Sequence, residues 1–409
     1  MSDFVLRTRL NHAVADVFAW HMRPGALERL IPPWESVTIK SREGTPATGG
    51  RVTFRVRRGA AEVTFEVRHT DFEPDHLFRN EQVRGPFTRW VHTHRFEPDD
   101  GGGCVVEDHV DWELPMGATG RLLGGSSVDV ELERLFTFRH RRLGGDLDRI
   151  KRHGDEAPLA VGVTGSSGLI GRTLCNVLTT GGHRVVRVVR NLKTRKSEDA
   201  LWDPIEGTVE EERLEGLDAV VHLAANAPVE TPWADVLKNN ISTTHNVYEA
   251  SRVNSVKRVI FASSNHAVGN FEMDEPYSRI RVGDYEGLTP GKFKQIDHSV
   301  SIRPDSDYGV SKVFGEATGR YYHEHFGLEV ACLRIGTVNP QNTPKGSVRS
   351  MATWLSHRDL TNLIRQCLTQ PLKYEIFYGV SDNTWRFWDT NHAKKSIGYA
   401  PIDNAEDYR

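Results

Sequence analysis

The chain has 409 residues, 38% of them hydrophobic and 26% charged, with a formal net charge of −3. Such a length exceeds one ordinary core and predicts two domains. The near-neutral charge gives no electrostatic reason to expect nucleic acid or an anionic membrane as partner, and no apolar run approaches the ~18 residues of a membrane span. Cys104, Cys175, Cys332 and Cys367 lack paired or metal-ligand spacing. They read as free thiols of a reducing compartment, so a cytoplasmic location is expected, without disulfides or a zinc site. The opening "MSDFVLRTRLNHAV" has no apolar signal core.

Residues 1 to about 153 alternate in the manner of strands. "RVTFRVR" puts Val52, Phe54 and Val56 on one face and Thr53, Arg55 and Arg57 on the other. "EVTFEVRHTDFEP" repeats the pattern. "TRWVHTHRFEPDDGGGCVVEDHVDWEL" reads as a hairpin closed by Asp-Asp-Gly-Gly-Gly. "AVADVFAWHM" and "SSVDVELERLFTFRHRR" have helical spacing, the second through Val128, Leu132, Leu135, Phe136 and Leu143. A sheet wrapped around a long final helix is expected. This order, with "FAWHMRPGALERLIPPWESV" and "GPFTRWVHTHRFEP", resembles the helix-grip fold of the START/polyketide-cyclase-like superfamily, which implies an apolar ligand in a cavity. His92 and His94 share a strand face with Trp90 and Phe96. No third ligand is evident beside them, so they read as a packed or solvated face and no metal is expected. Periodicity is lost in "RLGGDLDRIKRHGDEAPLA", which places a linker near residues 152–158. The expected domains are 1–153 and 158–409.

The second half opens with "LAVGVTGSSGLIGRTLCNVLTTGGHRVVRVVR", a strand, a glycine turn, a helix and a second strand. Gly165, Gly168 and Gly171 form GxxGxxG in the context that a dinucleotide pyrophosphate requires. The loop Gly165, Ser166, Ser167, Gly168, Leu169, Ile170 and Gly171 is therefore the expected cofactor cradle, joined by Leu223, Ala224 and Ala225 after "DAVVH". The second strand ends in Arg187 and Arg190, where an acid selecting NAD is usual. Arginines suit a 2′-phosphate, so the cofactor is expected to be NADP or NAD, leaning to NADP. Strands and helices then alternate through "DAVVHLAAN", "VKRVIFASS", "SKVFGEATGRYYHEHFG" and "EVACLRIG". The fold class is α/β, a Rossmann-type doubly wound parallel sheet preceded by the α+β helix-grip domain.

"FASSNHAVGNF" sets Ser263, Ser264, Asn265 and His266 just beyond an apolar strand, where ligands of such sheets bind. "SDYGVSK" follows, with Tyr308 and Lys312 one helical turn apart. A free tyrosine has a pKa near ~10. A neighbouring ammonium is expected to lower it toward use as a base, with Ser264 holding the reacting oxygen. These residues resemble the extended short-chain dehydrogenase/reductase superfamily, which implies Ser264, Tyr308 and Lys312 as catalytic and Asn240 as their support.

From about residue 235 onward, "FASSNHAVG", "RPDSDYGVSK", "LEVACLRIGT", "MATWLSHRDL" and "GYAPIDNAEDY" resemble uronate dehydrogenases and related sugar dehydrogenases. That resemblance implies oxidation of the C1 hydroxyl of a hexuronate or related aldose to a lactone. It also implies that Asn265 and His266 bind sugar hydroxyls, that Thr337 lies in the pocket and that Arg349 pairs with a carboxylate. Superfamily members often dimerise, so a homodimer is among the expectations. The cofactor half, "TGSSGLIGRTL", resembles the epimerase-like proteins that carry a helix-grip domain. Three features depart from the uronate dehydrogenase pattern: the strand-end arginines, Ala225-Asn226-Ala227 in place of a serine, and the long insertion between Ser264 and Tyr308. Arg279, Arg281, Lys292 and Lys294 in that insertion suit a phosphorylated sugar or a solvated face. The rival readings are a nucleotide-sugar epimerase, dehydratase or reductase, and a non-catalytic sensor of nucleotide and hydrophobic ligand.

Overall fold

The computed structural model describes residues 2–58, 61–153, 157–190, 199–204 and 214–409. The chain divides into two compact units, Met1–Glu156 and Ala157–Arg409. The expected linker at 152–158 includes residues 154–156, which lie outside the described residues.

The first unit is a seven-stranded antiparallel sheet. Its strands are β1 (Ser2–Leu10), β2 (Ser36–Glu43), β3 (Arg51–Arg58), β4 (Ala61–Glu73), β5 (Leu77–Arg84), β6 (Arg89–Pro98) and β7 (Cys104–Glu113), in the order β1-β7-β6-β5-β4-β3-β2. The β6–β7 hairpin is closed as its sequence predicts. The Asp99 carboxylate accepts the Gly101 and Gly103 amides at 2.9 and 2.8 Å. A 37-residue helix, Gly117–His153, follows the sheet and is longer than the helical spacing predicts. Its Leu132, Phe136, Leu143 and Leu147 are buried. Leu143 and Leu147 pack with Phe18 and Trp20 of helix Val14–Met22 and with Phe96 and Val106 of the sheet, and Phe136 with Val110 and Trp112.

The second unit is a parallel sheet of β8 (Ala160–Thr164), β9 (Arg184–Val189), β10 (Ala200–Leu201), β11 (Ala219–His222), β12 (Arg258–Phe261), β13 (Glu329–Ile335) and β14 (Tyr374–Gly379). The order is β10-β9-β8-β11-β12-β13-β14. Successive residues feed opposite cores: Val221 and Ile260 pack on one face, Val220, Val259 and Phe261 on the other. A strand buried on both faces must be apolar throughout, which explains the continuous runs in the sequence. The chain departs from β8 in both directions, so the carboxyl ends of β8 and β11 flank a switch point, the usual place for a nucleotide.

The long insertion is folded rather than a bare loop. It contributes a helical stretch Asn265–Met273 and helix Tyr277–Val282. Tyr277, Ile280 and Ile296 are buried with Phe387 and Trp388 of the C-terminal segment, and the Tyr277 hydroxyl donates to the Lys294 carbonyl at 2.6 Å. Arg279 is bound by Asp284, 2.7 Å from its Nε, while Lys292 and Lys294 are exposed.

Candidate active site

The glycine turn leaves β8 and enters helix Leu169–Thr180. Gly165 has φ +64°, and a Cβ there would lie 2.8 Å from the Leu223 carbonyl carbon and the Ala224 nitrogen. A Cβ on Gly171 would stand 2.3 Å from the Gly165 carbonyl oxygen. Side chains at these positions would fill the cradle that a pyrophosphate needs. Gly168 is the N-cap, and no side chain caps the helix. Its first amides and positive dipole end are thus presented to an anion. The Thr164 hydroxyl accepts the amides of Leu223 and Ala224 at 3.1 and 3.2 Å and ties the end of β11 to that of β8. It also meets His222 Nδ1 at 2.8 Å. Burial, with Lys312 adding to it, holds His222 down at about 3, so this ring is a neutral structural link. Ser166 is buried, and Ser167 and Gly168 are exposed.

Arg187, expected beside a 2′-phosphate, is already paired within the protein. Its Nε donates to Asp199 Oδ1 at 2.9 Å, and its Nη2 pairs with Oδ2. Asp199 directly precedes β10, a two-residue edge strand that the sequence reading did not foresee. Arg190, just past β9, is exposed.

Asn240 lies in a π-helical turn, Leu237–Ser242, between helices Trp233–Val236 and Thr243–Val253. Single π turns inside helices recur at functional sites. Asn240 is 2% exposed; its Oδ1 accepts the Asn226 amide at 2.7 Å and its Nδ2 donates to the Ser311 hydroxyl at 3.2 Å. The side chain thus fixes the segment after β11 against the helix that carries Tyr308.

That helix, Asp307–Phe326, is capped by Ser306, whose hydroxyl accepts the Gly309 amide. Tyr308 and Lys312 are buried on it, and Ser264 acts to lower the Tyr308 pKa. Lys312 Nζ donates to the Ala262 carbonyl at 2.7 Å and lies 5.3 Å from the Tyr308 ring centre. Burial outweighs the lowering influence of Ser264 and pushes Tyr308 up to about 12; burial also brings Lys312 down to about 7. The expectation that the ammonium lowers the tyrosine is therefore corrected for the site without cofactor. Desolvation disfavours both charged forms at once, and spacing alone does not reveal it.

The cluster after β12 divides its labour. Ser263 donates to Glu316 Oε1 at 2.6 Å, and Glu316 holds the buried Arg334 guanidinium at 2.9 and 2.8 Å. Ser263 is a structural tether. Ser264 faces Tyr308. His266 Nδ1 meets Asp305 Oδ2 at 2.7 Å and its ring stands edge-on to Tyr308 at 5.8 Å. Burial works to raise the Asp305 carboxyl, but the His266 and Ser306 hydrogen bonds prevail and leave it lowered.

Thr337 and Arg349 converge on the same region. The Thr337 hydroxyl lies 2.8 Å from that of Thr353 and 3.3 Å from Arg349 Nη1. Arg349 is already paired: Nε and Nη2 donate to the two oxygens of buried Glu272 at 2.6 and 2.5 Å. Asn265 Nδ2 reaches the same carboxylate at 3.4 Å. Neither Glu272 nor Asp305 is marked by a spacing in the sequence; "NFEMDEP" and "RPDSDY" hold the two acids without a recognisable pattern.

Residues 161–370 match the family model described as NAD dependent epimerase/dehydratase family, and residues 10–136 match that of polyketide cyclase / dehydrase and lipid transport. Among curated proteins, an NAD-dependent glucose-6-phosphate dehydrogenase of Haloferax volcanii is 37% identical over 206 residues, 50% of this chain and 76% of that protein. A crystal structure of uronate dehydrogenase from Agrobacterium tumefaciens, solved with NAD, is 30% identical over 62% of this chain and 88% of its own, with a TM-score of 0.50. A nucleoside-diphosphate sugar epimerase from Corynebacterium glutamicum covers 99% of this chain and 85% of its own at 21% identity and a TM-score of 0.71; it shares the fold, including the N-terminal unit.

Proposed function

Because the chain belongs to the NAD dependent epimerase/dehydratase family, we propose that it oxidises the C1 hydroxyl of an aldopyranose, a hexuronate or a related aldose, to the lactone. The observation that carries this reading is the convergence of Ser264, Tyr308 and Lys312 at the carboxyl end of β12. There a buried tyrosine stands with Ser264, which acts to lower its pKa, and a buried lysine amine donates to the Ala262 carbonyl at 2.7 Å. The Gly165–Gly171 loop, Leu223, Ala224 and Ala225 would hold NAD, which when bound supplies a positively charged acceptor for hydride. Arg187 is spent on Asp199, which removes one of the two arginines from 2′-phosphate recognition and favours NAD over NADP.

Ser264 orients the C1 hydroxyl toward Tyr308, and the Tyr308 phenolate takes its proton. Lys312 holds the region through the Ala262 carbonyl, and its charge, when present, favours the phenolate. Asn240 keeps the Tyr308 helix in register with the end of β11. Asn265 and His266 would bind ring hydroxyls, with Asp305 fixing the His266 tautomer.

The Arg349–Glu272 pair bears on the sugar. A guanidinium fork suits a carboxylate, but here an internal carboxylate occupies it. A hexuronate would have to displace Glu272 or use the Nη1 edge beside Thr337. A sugar without a carboxylate meets a charge-balanced wall, so the pair favours the related aldose over the hexuronate.

The test is reduction of NAD and NADP followed at the nicotinamide absorbance, with glucuronate, galacturonate, glucose and glucose 6-phosphate offered separately. Turnover with at least one sugar, abolished in Tyr308→Phe, supports the proposal. Saturable NAD binding with no turnover of any sugar moves the reading to an epimerase or to a sensor.

A further inference from the structure

The first unit carries a constellation that the dehydrogenase site does not use. A cavity of about 650 Å³ opens against its sheet, with walls that include Leu30, Phe54, Phe65, Val67 and Phe78. His92 and His94 of β6 line it. Asp108 of β7 is the register partner of His94. The third donor that the sequence did not reveal thus stands one strand away, on the same face of the sheet. All three side chains are buried, between 3% and 8% exposed.

The donor atoms converge. Asp108 Oδ1 lies 2.7 Å from His92 Nε2 and 2.7 Å from His94 Nδ1, and the three ligating atoms lie within 4.8 Å of one another. The His92 contact has hydrogen-bond geometry. The His94 contact does not: its Nδ1 is buried without a hydrogen-bond partner despite the short separation. An unpaired buried polar atom is costly and calls for a partner.

The outer contacts are also in place. Asp108 Oδ2 meets His140 Nε2 at 2.6 Å, and His140 Nδ1 meets the Thr8 hydroxyl at 2.7 Å. A ligating carboxylate is ordinarily oriented by such a partner on its second oxygen.

We propose that His92, His94 and Asp108 bind a divalent transition metal ion of the zinc or iron type, with its remaining coordination positions open to the cavity. Two imidazoles and one carboxylate form the donor set that leaves an exchangeable position on such ions. Arg139 lines the same cavity and adds positive charge. An anionic oxygen on a molecule in the cavity would be attracted by both the metal ion and the Arg139 guanidinium. The ligand class is therefore an apolar molecule bearing a carboxylate or enolate oxygen.

Cobalt(II) is the probe. The full-length chain, stripped with a chelator and dialysed, is titrated with the ion while visible d–d absorption and bound metal are followed. The expected result is one equivalent per chain with d–d bands, lost in His94→Ala and in Asp108→Asn while circular dichroism is unchanged. His140→Gln, which alters only the outer partner, weakens binding by about 10–100-fold. Substoichiometric uptake by the wild-type chain, or equal uptake by His94→Ala, overturns the site and leaves Asp108 as a hydrogen-bond hub for three imidazoles. If the variants fail to fold, the wild-type stoichiometry and spectrum decide alone.

Discussion

Glu272 accepts from Nε and Nη2 of Arg349, at 2.6 and 2.5 Å, from a buried position 77 residues earlier in the chain. This pair decides how much of the guanidinium charge a sugar meets. In Glu272→Gln the arginine loses its charged partner, and a sugar carboxylate gains a competing place. The ratio of kcat/KM for glucuronate over that for glucose should rise about tenfold, the scale of one charge-assisted hydrogen bond. An unchanged ratio would show that Arg349 does not face the sugar.

Burial holds Tyr308 up at about 12, so the phenolate is the minor form at neutral pH. A base must be deprotonated to act. The kcat/KM for sugar oxidation should therefore rise steadily from pH 6 to pH 10, with no acid-side optimum. A pH profile at saturating NAD measures this. A bell centred near neutrality would mean that loss of the Lys312 charge, or another group, governs the step instead of Tyr308 ionisation.

Lys312 titrates at about 7 in the folded chain, against 10.5 for an ordinary lysine. Between these values the unfolded chain holds a proton that the folded chain lacks. Stability contributed by this residue thus rises with pH through that window, by at most about 1.4 kcal/mol per pH unit. Urea unfolding without cofactor at pH 7, 8 and 9 should show the rise, and Lys312→Met should remove that part of it.

Gly171→Ala places a methyl group where only 2.3 Å separates it from the Gly165 carbonyl oxygen. The turn must open, and the amides that face the pyrophosphate move with it. NAD affinity should fall by at least tenfold by calorimetry, and the variant should unfold at lower temperature. An alanine there that binds NAD normally would contradict the cradle.

Much of this site was legible in the sequence, because its parts are local. The glycine turn needs three glycines within seven residues, and Tyr308 and Lys312 need one helical turn. Strand-end placement of Ser264 follows from the apolar run before it. What the sequence hid depends on chain reversals. Glu272 meets Arg349, Asp305 meets His266 and Asp108 meets His92, His94 and His140 only after folding, and no spacing announces those meetings. Arg187 illustrates the converse. Its position suggested a phosphate ligand, yet Asp199, on the short edge-strand connection, takes its fork. Tyr308 and Lys312 show that adjacency was readable but desolvation was not.

In the proposed reaction, hydride leaves C1 of an aldose while Tyr308 takes the hydroxyl proton. The most direct measurement offers the full-length enzyme an aldose deuterated at C1 with NAD, and examines the reduced nicotinamide and the sugar product by mass spectrometry. The expected result is one deuterium in the reduced cofactor for each lactone formed, and none of either in Tyr308→Phe. Deuterium retained in an epimerised or unchanged sugar, or reduced cofactor without deuterium, would contradict it.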